Sequence, residues 1–141
     1  MPKVLILIGS KSDMVYAEEC QKMLDGYGIE NSLEISSAHR EPDKTDDLAK
    51  NAAANGFEVV ICMAGMAAAL PGVVAARTRL PVIGVPLPAS LDGLDALLAI
   101  AQMPSGVPVA TMGIGKAGAK NAAVLAARIL AVKYPEINGK L

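Results

Sequence analysis

The sequence has few of the residues on which many protein functions depend. Its 141 residues include one histidine, two cysteines, no tryptophan and only 3% aromatic residues. A single histidine gives little support to a histidine-rich metal site. The scarcity of aromatic rings argues against a flavin site, where rings usually stack on the cofactor, and against a nucleic-acid interface built on interleaved aromatics.

Neither sign of charge dominates, and neither cysteine has ligand-like spacing. The chain carries 13 basic and 14 acidic residues, without the basic stripe that a nucleic-acid partner would require. Cys20 and Cys62 fall within a predicted helix and a predicted strand, so we expect reduced, buried thiols in a cytoplasmic protein. The long apolar stretch 80–114 is interrupted by five prolines and two aspartates, so we expect no membrane partner.

What the chain has in abundance is small and medium-sized apolar side chains. Hydrophobic residues make up 52% of the sequence, with seven methionines. The core must therefore be built from Ala, Val, Leu and Ile, with Met filling gaps. Such an apolar composition in a small protein favours a homo-oligomer that buries part of its apolar surface between subunits.

Five short apolar runs alternate with five stretches of helical character. The predicted strands span residues 3–8, 29–35, 57–63, 81–86 and 107–112. The predicted helices run from a cap at Ser12 or Asp13 to Gly26 or Gly28, then over residues 43–55 (capped by Asp43), 67–79, 91–102 and 117–133. Continuous apolar strands separated by helices indicate a parallel sheet covered on both faces.

The predicted architecture is α/β, a three-layer sandwich formed by residues 1–141 as a single domain. A five-stranded parallel sheet in the flavodoxin-like order 2-1-3-4-5 has helices on both faces. Ligands of such sheets bind outside the carboxyl ends of the strands, where the winding direction reverses. Three loops converge there: GSKSD (9–13), SSAHREP (36–42) and AGMAAALPG (64–72).

The first two loops have the chemistry of a sugar-phosphate site. GSKSD offers hydroxyls and free backbone N–H groups at a helix start, which favour an anion. Arg40 can grip a phosphate with its planar fork, and Asp13 can accept hydrogen bonds from ribose hydroxyls. The alternative for GSKSD alone is a simple capped turn.

His39 is the only imidazole, and it lies on the second of these loops. Imidazole both gives and takes a proton near neutral pH, so one histidine can act first as acid and then as base. A chance surface position is the alternative for a lone histidine. We expect no metal site, since the acidic group Asp43, Asp46 and Asp47 has the pattern of a solvated helix turn.

GIGKAG, residues 113–118, matches the dinucleotide-binding pattern G-x-G-x-x-G. It follows the last predicted strand, so no further strand remains to carry the acidic residue that binds the ribose. We interpret its glycines as allowing the loop to approach the same cleft or a neighbouring subunit.

Several segments together resemble a known family. GSKSD, SAHR, AAALPG, LPVIGVP, LLAIAQMPSGVPVAT and GIGKAGAKNAA are similar, in order and spacing, to the class I 5-(carboxyamino)imidazole ribonucleotide mutases of purine biosynthesis. The resemblance implies an octameric isomerase without metal or organic cofactor. Such an enzyme moves a carboxylate from the exocyclic nitrogen to a ring carbon of an aminoimidazole ribonucleotide.

The resemblance also implies roles for individual residues. His39 corresponds to the catalytic histidine. Binding of the ribonucleotide falls to residues of all three loops: Ser10, Ser12, Asp13, Ser37, Arg40 and Gly65. Many bacterial members have a second histidine in the third loop, where this chain has Ala69. The carboxyl donor is therefore open, and two alternatives stand beside the mutase: a carboxylase that uses free carbon dioxide, and a non-catalytic nucleotide-binding module.

Overall fold

A computed structural model describes all residues, Met1–Leu141, and its five strands form one parallel sheet in the order β2-β1-β3-β4-β5. The strands are β1 (Lys3–Ile8), β2 (Glu30–Ile35), β3 (Val59–Gly65), β4 (Val82–Leu87) and β5 (Ala110–Thr111). The helices are α1 (Met14–Gly26), α2 (Pro42–Asn51), α3 (Leu70–Ala75), α4 (Leu94–Ala101) and α5 (Lys116–Ala131). This arrangement confirms the predicted fold class and strand order.

Two apolar layers enclose the sheet, one on each face. Alternate residues of β1 point in opposite directions: Val4 and Ile6 belong to a core shared with α1 and α5, whereas Leu5 and Leu7 pack with α2, α3 and α4. Both faces of β1 are therefore buried, which explains why this strand appears in the sequence as a continuous apolar run.

The central strand places the loops of interest side by side. β1 pairs with β2 on one side and with β3 on the other. Because parallel strands end at the same edge of the sheet, the loops after β1, β2 and β3 lie next to one another.

Four elements are clearly shorter than the sequence predicts. α2 ends at Asn51 rather than at residue 55, and α4 covers Leu94–Ala101 rather than residues 91–102. β5 was expected over residues 107–112 but pairs only through Ala110 and Thr111, because Pro108 lacks an N–H to donate and the strand lies at the sheet edge. α3 was expected over residues 67–79 but covers Leu70–Ala75. Its start is delayed because Met66 and Ala68 have positive φ angles of 56° and 40°, which a right-handed helix excludes. A short 3-10 turn, Pro135–Lys140, follows α5.

The start of α1 lies where the sequence predicts, whereas the start of α2 differs. Asp13 is the N-cap residue of α1 but makes no side-chain capping hydrogen bond. Ser10 caps the preceding 3-10 turn Lys11–Asp13, and its side chain accepts the Ser12 N–H. α2 begins at Pro42, so Asp43 lies in its first turn rather than at its cap. No helix in the structure combines the length and the apolar character needed to cross a lipid bilayer.

Candidate active site

A cavity of about 440 Å³ opens at the carboxyl ends of β1, β2 and β3, a size typical of small-molecule sites. Three loops supply most of its lining, and one residue comes from the loop after β4. The lining residues are Gly9, Ser10, Ser12, Asp13, Ser37, Ala38, His39, Arg40, Ala64, Gly65, Met66, Ala67, Ala68, Ala69, Leu70 and Ala89.

The cavity brings together all seven residues singled out in the sequence. The first loop contributes three of them, the second loop three and the third loop Gly65. The lone histidine therefore lies in a cleft shared with the hydroxyl-rich first loop. The roles assigned to these residues stay predictions.

The first loop is held in shape by its own hydroxyl groups. Ser10 Oγ lies 2.6 Å from Ser12 Oγ and accepts the Ser12 N–H at 3.1 Å. The backbone N–H of Asp13 donates to the Ser10 carbonyl at 3.0 Å. The loop thus forms a compact turn that leads into α1 and presents two hydroxyl groups to the cavity.

Asp13 is the only carboxylate that lines the cavity, and it is partly buried. Burial raises the pKa of this carboxyl group, and a hydrogen bond to the backbone of Ser10 partly opposes the shift. The folded chain therefore bears a cost for keeping Asp13 ionised at neutral pH.

Replacing Asp13 by asparagine is expected to stabilise the free protein at neutral pH. Because folding raises the pKa of the Asp13 carboxyl group, protonated Asp13 favours the folded state relative to ionised Asp13. This contribution to stability is fully present below the unfolded-state pKa and is lost as the pH rises through the folded-state pKa. The gain in Asp13→Asn should therefore grow with pH across this window. Urea unfolding of both proteins between pH 3 and 7 measures the difference, and a gain that is independent of pH would contradict it.

The second loop is anchored at its base and open at its tip. Ser36 is fully buried, donates its N–H to the Ile8 carbonyl at 2.8 Å, and shares a 2.7 Å hydroxyl contact with buried Thr45 on α2. Ser37 Oγ accepts the Arg40 N–H at 3.1 Å. These contacts fix the loop that carries His39 and Arg40, whose side chains stay exposed at the cavity.

Few charged side chains line the cavity. Arg40 is its only strongly basic residue, and the guanidinium forms no ion pair within the chain. A ligand anion in this cavity would therefore find its cationic partner in Arg40, together with the N–H groups and hydroxyls of the first loop.

Comparison with known proteins identifies the family. The model of the AIR carboxylase family matches residues 3–141. The chain belongs to the AIR carboxylase family.

Individual relatives of this family are similar along the whole chain. An N5-carboxyaminoimidazole ribonucleotide mutase of Pyrococcus abyssi is 52% identical over 100% of this chain and 80% of its own length. One of Saccharolobus solfataricus is 54% identical over 100% of this chain and 89% of its own. The crystal structure of Treponema denticola PurE superposes with a TM-score of 0.90 at 35% identity, covering 99% of this chain and 87% of that one.

The third loop forms the apolar side of the cavity, and Ala69, the residue at which a second histidine was considered, is among its lining residues. In the same loop the backbones of Met66 and Ala68 adopt left-handed conformations, each of which costs on the order of 1 kcal/mol in a residue other than glycine. The loop is therefore a strained, apolar wall of the cavity.

Several lining residues had no individual role in the prediction, and Ala89 and Met66 are the two that differ most from expectation. Ala89 lines the cavity from the loop after β4. The predicted strand order, in which β4 adjoins β3, could have indicated that this loop lies near the cavity. Met66 was quoted only as part of its loop, because a methionine in an apolar segment gives no sign of its backbone angle or of its 59% exposure.

The GIGKAG loop does not line this cavity. A Cβ on Gly118 would lie 1.7 Å from the carbonyl oxygen of Gly113, and the Gly115 N–H donates to the Pro86 carbonyl at 2.9 Å. These glycines let the start of α5 pack against its own loop and against β4. The structure has no group of three or more His, Cys, Asp or Glu side chains that could hold a metal ion, and Asp46 pairs instead with Lys50 and Arg77.

Proposed function

We propose that the chain is an N5-carboxyaminoimidazole ribonucleotide mutase that moves a carboxylate from the exocyclic nitrogen to a ring carbon of its substrate. The observation that carries the proposal is the position of His39, which lines one cavity with Arg40 and the first loop. The names of the relatives from Pyrococcus abyssi and Saccharolobus solfataricus support the same activity.

In this proposal the cavity binds the ribonucleotide by its polar end. Arg40 and the Ser10 and Ser12 hydroxyls take the phosphate, while Asp13 accepts hydrogen bonds from the ribose. The aminoimidazole ring then extends between His39 and the third loop, where Gly65 allows the backbone to approach closely. Ser37 contributes by shaping the turn that presents Arg40.

The chemistry needs one proton carrier that works in both directions. The bond between the exocyclic nitrogen and the carboxyl carbon breaks, and its electron pair passes to the nitrogen. The His39 imidazolium protonates this nitrogen, and carbon dioxide is released. The ring carbon then attacks carbon dioxide, and the neutral imidazole removes the proton from that carbon. Protons and electrons balance over the cycle, so the reaction is an isomerisation without net redox change.

A donor assay tests the proposal. The purified protein is given the N-carboxylated ribonucleotide without bicarbonate, and separately the uncarboxylated ribonucleotide with bicarbonate. Rapid conversion of the first substrate is expected. Activity only with the second would indicate the carboxylase, for which Ala69 in place of a second histidine is the motivating observation. Inertness toward both would indicate a non-catalytic binding module.

We also propose that the chain works as a homo-octamer in the cytoplasm, with its thiols reduced. α4 and the turn before it expose Leu91, Leu94 and Leu98, at 73%, 53% and 50%. Leu91 lies outside the helix, in the left-handed turn before it. Residues four apart share one face of a helix, so Leu94 and Leu98 form an apolar stripe on α4 opposite the buried Ala96 and Ile100. Such a stripe is typical of a subunit interface. The two cysteines are buried and free, as the proposed location requires.

Charging this stripe should break the assembly. The double variant Leu94→Glu/Leu98→Glu would bury two unpaired carboxylates at the interface, which costs several kcal/mol per ion. Light scattering after size exclusion should show the parent at eight chain masses and the variant at a lower mass. Val132→Glu, at an apolar position that is 88% exposed on its own, is the matched control and should assemble like the parent. An unchanged mass for the double variant would place the interface elsewhere.

A further inference from the structure

Met66 is an apolar side chain in an unusual place. It is 59% exposed, it lines the cavity, and it is the only residue between Gly65 and Ala69 with a side chain longer than a methyl group. The next lining residue, Leu70, is almost fully buried and belongs to the core beneath the loop.

The free protein gains little from a methionine at this position. The φ angle of 56° is one that glycine adopts without strain and other residues rarely do. An exposed apolar side chain on a strained backbone contributes neither to the core nor to solubility. Strained backbone conformations cluster at active sites and ligand-binding sites. We therefore expect Met66 to make its favourable contacts in the ligand-bound state.

The topology places Met66 across the cavity from His39. The loops after β2 and β3 lie on either side of the loop after β1, and two strand spacings separate them by about 10 Å. A ligand whose phosphate is held by the first loop and Arg40 would have its ring between the imidazole on one side and the thioether on the other.

The proposed reaction needs an apolar cover at this position. Between its two half-reactions the carboxyl group exists as carbon dioxide, a small neutral molecule that is lost if water enters or the cavity opens. A methionine side chain is flexible, polarisable and without hydrogen-bond donors, so it can fill an irregular gap and exclude water.

We propose that Met66 folds over the bound ribonucleotide and retains carbon dioxide until the ring carbon captures it. The inference rests on the proposed mutase function. Met66 would determine whether carbon dioxide is captured by the ring carbon or lost to water, whereas His39 would carry out the proton transfers.

Label retention measures this control directly. The substrate carries isotopic carbon in its carbamate, and the reaction runs with excess unlabelled carbon dioxide and bicarbonate. The parent should keep most of the label in its product. In Met66→Gly the ratio of released to transferred carbon dioxide should rise by roughly tenfold or more, the change expected when one large apolar contact is lost. Uncarboxylated ribonucleotide should accumulate in step.

Two further variants separate shielding from backbone effects. Met66→Leu keeps an apolar cover and should retain label nearly as well as the parent. Ala68→Gly frees the other left-handed residue of the same loop but removes only a methyl group, so its leakage should be much smaller than that of Met66→Gly. The unfolding midpoint of Met66→Gly should stay at or above that of the parent, because the strain is relieved.

Three results would overturn the inference: full retention in Met66→Gly, equal leakage in Ala68→Gly, or complete exchange of label with the bulk in the parent. Failure of the mutase function itself is distinguishable, because the parent would then not convert the N-carboxylated ribonucleotide at all.

Discussion

His39→Asn is expected to lower turnover by at least ~100-fold, the low end of the contribution of general acid–base catalysis. Asparagine keeps hydrogen-bonding capacity at the cavity but cannot carry a proton between the exocyclic nitrogen and the ring carbon. The native side chain is exposed and lies outside both apolar cores, so the fold and the assembly should be unchanged. Steady-state turnover of the N-carboxylated ribonucleotide measures the effect.

The control for this variant lies at the far end of the molecule. Glu136 is exposed in the 3-10 turn after α5, and a helix that returns from the carboxyl edge of the sheet ends at the opposite edge. Glu136→Gln should therefore have normal turnover. Near-normal turnover in His39→Asn, with assembly confirmed, would remove His39 from the mechanism.

Arg40→Ala is expected to weaken substrate binding by about 2 kcal/mol, the size of a lost charge-assisted hydrogen bond. This corresponds to a roughly 30-fold rise in the dissociation constant. The loss is large because Arg40 is the only strongly basic residue that lines the cavity. Calorimetric titration with the uncarboxylated ribonucleotide measures it, and Arg40→Lys should be intermediate, since it keeps the charge without the planar fork.

A remote cation controls for the overall charge. Lys22 lies on the exposed surface of α1, 74% exposed and 3.8 Å from Glu19, and Lys22→Ala should bind the ribonucleotide like the parent. If Arg40→Ala also bound with unchanged affinity, the phosphate would have to lie elsewhere in the cavity.

The sheet was predictable because strands buried on both faces appear in the sequence as continuous apolar runs. β1 and β3 are apolar at nearly every position since both of their faces are covered, and that pattern indicates a parallel sheet. The order 2-1-3-4-5 then follows as the common arrangement of such a chain. The order in turn places His39 beside the first loop, although these residues lie far apart in the sequence. The cavity follows from topology rather than from any single motif.

What escaped prediction depends on backbone angles that residue types do not reveal. Met66 and Ala68 have helix-compatible side chains, yet their left-handed conformations delay α3 by three residues. Asp13 is the N-cap residue of α1 as expected, but the 3-10 turn before α1, which Ser10 caps, was not predicted.

A crystal structure of the assembled protein with the uncarboxylated aminoimidazole ribonucleotide bound would test the central claim most directly. We expect the phosphate at the Ser10–Ser12 turn and Arg40, and the His39 imidazole within hydrogen-bond reach of the exocyclic amine, about 3 Å away. A nucleotide ring that lies outside the cavity, or an imidazole that faces away from it, would contradict the account.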